Sequence, residues 1–182
     1  MKKDFKFILN KLWILIAPAS ICLMLLVVYL IKGIYPFGTN TISYFDMAQS
    51  IVPIYYHTYD FLHGNADCFL NWNVALGSSM GDLFGNFIFF PTNLFFFFVK
   101  RENILYSMSF FLIFKLMLAS AFMSIYANSK VAKKAIAVFA GIAYASCGFV
   151  IQYYTNIYFL DCFLIFPLLV LGYDLLVEKN KK

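Results

Sequence analysis

The chain has 182 residues, of which 63% are hydrophobic, 21% aromatic and only 13% charged. A soluble domain usually carries about 25% charged residues, so a disordered chain is excluded and a water-soluble domain is disfavoured. The apolar residues are gathered into stretches of about 20, the length that crosses a hydrocarbon core of ~30 Å at 1.5 Å per residue, and the bilayer becomes the solvent for every further argument.

The formal charge of +5 arises from 14 basic and 9 acidic residues, and the basic ones flank the apolar stretches. The membrane therefore accounts for them, and nucleic acid is not expected as a partner. Cys22, Cys68, Cys147 and Cys162 lie in or beside apolar segments with no CxxC pair. They read as small buried apolar residues rather than a disulfide framework or a zinc site.

Behind the basic stretch Met1 to Lys11, the first predicted span runs from Leu12 to Ile31. An A-x-A pattern at Ala17 and Ala19 has too little of the span before it for signal-peptide cleavage, so the segment is read as an anchor. Within residues 32–103, the apolar spacing of Met47, Ile51, Ile54, Tyr55, Thr58 and Leu62 predicts an amphipathic helix over Asp46 to His63. It is kinked near Pro53, ended by Gly64 and laid along the membrane interface. The stretch Leu83 to Val99 is very apolar but is interrupted by Gly85, Asn86, Pro91, Thr92 and Asn93. Its Phe-rich part, Phe87 to Val99, is expected to dip into the interface or pack on the helical bundle.

Three more spans follow, Ile104 to Ala127, Ala135 to Tyr154 and Tyr158 to Val177, joined by polar breaks at Asn128 to Lys134 and Thr155 to Ile157. The positive-inside rule decides between four spans and five. With four spans and the N-terminus inside, ten basic residues fall on the cytoplasmic side and three outside; counting Leu83 to Val99 as a fifth leaves six inside and seven outside. The expected architecture is an all-α integral membrane protein with about four transmembrane helices, a long extracytoplasmic first loop containing interfacial helices, and both termini cytoplasmic. The series Ala137, Gly141, Ala145 marks a small-residue stripe for close helix packing.

Chemistry is sought among the polar residues that this architecture places at or in the membrane. Asp46, Asp60, Asp67, Asp82 and Glu102 give the first loop an acidic surface that could bind a divalent cation or supply a general base, whereas no spacing names a metal. Asp60 and Asp67 read as solvated loop carboxylates. Asp46 sits between aromatic residues just after the first span, where it is either a candidate general base or an N-cap in a D-x-x-Q pattern with Gln49. Asp161, at the outer end of the fourth span, is a candidate second acid or a hydrated helix end. Lys115 lies 11 residues from one end of its span and 12 from the other. That is roughly 17 Å from either edge, too deep to snorkel. It needs a partner: Asp161, Asp46, a backbone carbonyl, or the phosphate of a lipid substrate. His57 and His63, six positions apart, face differently on a helix and read as interfacial polar groups rather than joint metal ligands.

The order of several short motifs points to a family. Gly33-Ile34-Tyr35-Pro36-Phe37-Gly38, then Asp46 with Gln49 and Pro53, then Asn71-Trp72, Leu76-Gly77 and Phe90-Pro91-Thr92-Asn93-Leu94 resemble the amino-terminal region of the bacterial YfhO membrane proteins. Tyr144-Ala145-Ser146-Cys147-Gly148-Phe149, Asn156-Ile157-Tyr158-Phe159-Leu160-Asp161 and Pro167-Leu168 resemble that family's next segment. The resemblance implies a GT-C-like glycosyltransferase in the bacterial plasma membrane. Such an enzyme moves a sugar from a polyprenyl-phosphate donor to a cell-envelope acceptor of the teichoic-acid type. It would make Asp46 the catalytic carboxylate of the first external loop and Asp161 a second acidic position, with Lys115 or a metal offsetting charge on the departing phosphate. Family members are several times longer, so the chain is read as an amino-terminal portion. The other class consistent with the sequence is a non-enzymatic polytopic membrane protein, either a transporter or flippase component or an inactive remnant.

Overall fold

The computed structural model describes residues 12–67, 69–71, 77–79, 90–131 and 133–180. The basic stretch Met1 to Lys11, Cys68, Asp82 and most of the sequence from Trp72 to Phe89 lie outside the described residues. Within them the chain is helical, apart from connecting turns, an isolated bridge between Ile34 and Asn40 and a two-residue antiparallel ladder of Leu70–Asn71 with Ser78–Ser79. Among the described residues, four helical segments are long and apolar enough to cross a membrane: Leu12–Lys32, Arg101–Lys130, Lys134–Tyr153 and Phe159–Lys179.

The first opens as a 3-10 turn, Leu12–Leu15, before α1, Ile16–Lys32. Pro18 explains the change, because it has no N–H to give the Ile14 carbonyl and its ring would crowd that oxygen in a regular helix. Gly33, at φ 60°, ends α1 in the left-handed conformation, its N–H turned back to the carbonyls of Leu30 and Tyr29. The following turn is tied at three points: the Asn40 side chain donates to the Lys32 carbonyl at 2.9 Å, Tyr35 N–H donates to Asn40 O, and Asn40 N–H donates to Gly33 O. A Cβ at Gly38 would collide with the Gly33 backbone. The glycines of this motif are therefore needed for a close turn.

The predicted Asp46 to His63 helix is present in two parts. Met47–Ile51 forms a π-turn, with Val52 N–H reaching back to the Met47 carbonyl, and α2 runs from Val52 to Leu62. Pro53 again gives the cause: the wider turn moves the upstream carbonyl away from the proline ring. Met47, Ile51, Ile54, Tyr55 and Thr58 of the expected face are buried, and Leu62 at the end of the helix is exposed. Gly64, at φ 75°, follows as the stop. The tail of the Phe-rich stretch is a 3-10 helix, Pro91–Phe98, that packs on the bundle: Phe96 stacks on Tyr55 at 4.2 Å and meets Phe111 edge-on at 4.7 Å.

Helix α3, Ile104–Lys130, is the centre of the fold. In its most apolar window 56% of residues are buried, against 22% in each of the other three spanning segments, so the others pack around it. Lipid tails are as apolar as leucine, so close approach and polar contacts hold such helices together. Helix α4, Lys134–Ala145, supplies the approach: Ala137, Gly141 and Ala145 are buried along one face. A Cβ at Gly141 would strike Ser124 Oγ and the Ser120 carbonyl of α3, while Gly172 has open space around it. Gly141→Val is therefore expected to destabilise the protein by about 1–3 kcal/mol through overpacking. Gly172→Val, compared in the same detergent unfolding titration, should stay close to the parent.

The third spanning segment is broken at Ser146 and Cys147, after which α5, Gly148–Tyr153, leads through a turn to α6, Phe159–Asn180. Pro167 lies inside α6 and leaves the Phe163 carbonyl without its helical donor. The Tyr144 hydroxyl fills that place, donating to Phe163 O at 2.7 Å while the two rings stack at 4.1 Å. A freed carbonyl at membrane depth must find a donor in a neighbouring element, and here α4 provides it. Tyr144→Phe is expected to cost about 1 kcal/mol in the parent. In Pro167→Ala, whose new N–H can close the helix, it should cost measurably less. A double-mutant cycle in mixed micelles reads the difference, and equal costs in both backgrounds would remove this role from Tyr144.

Candidate functional site

Around the middle of α3, four elements bring their polar groups to one point. Lys115 is fully buried. Its Nζ lies 2.7 Å from Asp161 Oδ1, in the first turn of α6, and donates to the Ile157 carbonyl at 2.9 Å in the turn before that helix. The same ammonium stands 4.6 Å from the ring centre of Phe111, one helical turn earlier on α3. Two of the partners named from the sequence, Asp161 and a backbone carbonyl, thus hold Lys115 together.

Asp161 is 5% exposed, so it is not a hydrated helix end. The helix N-terminus beneath it favours a carboxylate there. The Thr92 hydroxyl, from the 3-10 helix, donates to the same Oδ1 at 3.0 Å. Next to Thr92, Asn93 Oδ1 accepts from the Tyr55 hydroxyl of α2 at 2.9 Å. Burial and then the charge of Asp161 push the Tyr55 phenol far above its ordinary value, so it remains a donor. Each polar group in this chain of contacts needs the next, as unpaired groups in a low-dielectric core are costly.

Asp46 is placed differently. It stands at the N-cap position of the π-turn but makes no capping hydrogen bond, and its side chain is exposed. The N-cap alternative is thus not realised, since the Ala48 and Gln49 amides that such a cap would bond already donate to the Phe45 carbonyl. The preceding Phe45 has φ 47°, an uncommon conformation for a bulky residue. The structure joins Lys115 to Asp161 and leaves Asp46 outside that contact.

Other residues are placed differently from their reading in the sequence. Asp60 accepts two bonds from the Arg101 guanidinium, at 2.7 and 3.0 Å, which hold its carboxyl below the usual range. His57 is buried, and its Nε2 must carry the proton, because its neighbour at 2.9 Å is the Asp67 carbonyl oxygen. Cys162 is exposed rather than buried. Among the described residues no three His, Cys, Asp or Glu side chains cluster closely enough to hold a metal ion.

Thr92, Asn93 and Tyr55 were not singled out by chemistry in the sequence, although Pro91-Thr92-Asn93 contributes to the family resemblance. The available signal was a Thr-Asn pair set inside a run of phenylalanines, where polar groups need partners.

No curated protein and no solved structure matches the chain significantly. Residues 19–182 match the family described as bacterial membrane protein YfhO. That span takes in most of the first long helix, the whole of the other three and every residue of the buried contact. The chain belongs to the YfhO family of bacterial membrane proteins.

Proposed function

We propose that the chain forms the amino-terminal part of a membrane glycosyltransferase. The enzyme moves a sugar from a polyprenyl-phosphate donor to a cell-envelope acceptor of the teichoic-acid type on the outer face of the bacterial plasma membrane. Family membership and the distribution of basic residues support the setting, with both termini cytoplasmic and Asp46 at headgroup depth outside.

The observation that carries the reading is the state of Asp46: exposed, uncapped, and placed just beyond the turn that ends α1. A carboxylate without a structural task is available as a base. Asp46 takes the proton of an acceptor hydroxyl, and that oxygen attacks the anomeric carbon. The glycosyl–phosphate C–O bond breaks, and its electron pair leaves with the lipid phosphate. A base within hydrogen-bond reach contributes about 10² to 10⁴ in rate.

Lys115 and Asp161 act as positioning residues in this reading, since the ammonium is engaged by Asp161 and Ile157 rather than turned toward a phosphate. Their pair ties the 3-10 helix and the α5–α6 turn to α3. The test is sugar transfer in membranes carrying Asp46→Asn. Loss of transfer with normal insertion is expected, and undiminished transfer would overturn the role.

A further inference from the structure

A groove of about 580 Å³ runs between α1, α3 and α5, and neither Lys115 nor Asp161 is among its lining residues. Its volume falls in the range of small-molecule sites. The walls are apolar, with Leu25 and Val28 from α1, Leu112 from α3 and Ile151 from α5, and Lys32 and Tyr44 stand among its lining residues. Leu25 lies seven residues before Lys32 on α1, so the groove descends roughly 10 Å from the end of that helix toward its middle.

Its polar groups are unequal. The Tyr29 hydroxyl is engaged with the Ser109 carbonyl, and the Asn40 amide with the Lys32 carbonyl. The Lys32 ammonium is exposed and has no partner among the described residues. It is also the only lysine or arginine in the sequence between residues 12 and 99. A single unpaired cation at the head of an apolar groove complements a ligand with one anionic head and an apolar tail. Val28 is 42% and Ile151 71% exposed, so the groove is open at its side and a long tail can pass from it into the bilayer.

We propose that this groove seats the head end of a polyprenyl phosphate, with the Lys32 ammonium on the phosphate and the first isoprenoid units against Leu25, Val28, Leu112 and Ile151. The assignment rests on the function proposed above. Tyr44 lines the groove two residues before Asp46, so a sugar carried on that phosphate would lie on the same side of the molecule as the exposed acid.

The test is saturable binding of radiolabelled undecaprenyl phosphate to the full chain in phosphatidylcholine nanodiscs, without acceptor. Unlabelled undecaprenyl phosphate should compete and phosphatidylglycerol should not. Lys32→Gln is expected to weaken binding about tenfold or more while leaving undecaprenol binding unchanged, and Lys32→Arg should retain affinity. Val28→Trp, built on an exposed wall, should weaken both lipids. Equal binding by Lys32→Gln, no saturable binding, or equal competition by phosphatidylglycerol would overturn the assignment, the last by showing a general lipid contact. Binding without acceptor does not depend on Asp46. A failed groove therefore leaves the Asp46 test standing, and a failed Asp46 test leaves the groove standing.

Discussion

Lys115→Leu is expected to destabilise the protein by about 3–5 kcal/mol, because it leaves the carboxylate of Asp161 buried without its counter-charge. Asp161→Leu should cost a similar amount, since the ammonium retains only the Ile157 carbonyl and the face of Phe111. Removing both charges together is expected to recover most of the loss. Bringing two ions into a low-dielectric interior consumes much of what their attraction returns, and well-packed apolar side chains avoid that cost. The measurement is unfolding of the four proteins in mixed micelles, read as a double-mutant cycle. If the double variant were as unstable as the sum of the single ones, the 2.7 Å contact would have no energetic coupling and the pair would not be what organises this centre. Thr92→Val, which removes the hydroxyl from Asp161 Oδ1, should show a smaller loss in the same assay.

Asp46→Asn is expected to do the opposite, leaving stability almost untouched and removing sugar transfer. The side chain is exposed and makes no capping bond, so exchanging one carboxylate oxygen for an amide should move stability by no more than about 0.5 kcal/mol. The chemistry is less tolerant. An amide cannot take a proton at neutral pH, and loss of a positioned base lowers the rate by about 10² to 10⁴. Asp46→Glu keeps the carboxylate but moves it by one methylene, so partial activity is expected from it. Parallel assays of transfer and unfolding separate this residue from Lys115, whose replacement should disturb the fold first. A transfer rate in Asp46→Asn within twofold of the parent would remove the acid from the reaction.

Much of the architecture was legible because the bilayer imposes simple lengths. Four apolar stretches mark four spanning segments, and three of their starts lie within one residue of the expected ones. Pro53 marks where regular helix is interrupted, as it lacks an amide proton. Local pattern was weaker in the third segment, where nothing in the apolar run announces the break at Ser146 and Cys147. It was weaker also in the Phe-rich stretch, whose composition permits a strand, a span or a packed turn. Asp60 was read as solvated because its partner, Arg101, is 41 residues distant in sequence.

The sequence by itself determined that this is a membrane chain of four spanning helices, that α4 presents small residues to a neighbour, and that Lys115 lies too deep to remain alone. Those conclusions follow from helix rise, apolar length and the cost of a charge in hydrocarbon, which are properties of single segments. Only the tertiary structure decided that the partner is Asp161 rather than Asp46, that Thr92 shares the same oxygen, and that Tyr144 replaces the donor denied by Pro167. Each of those contacts joins residues from different elements, and which elements meet is set by how the helices pack around α3 rather than by any pattern within one of them.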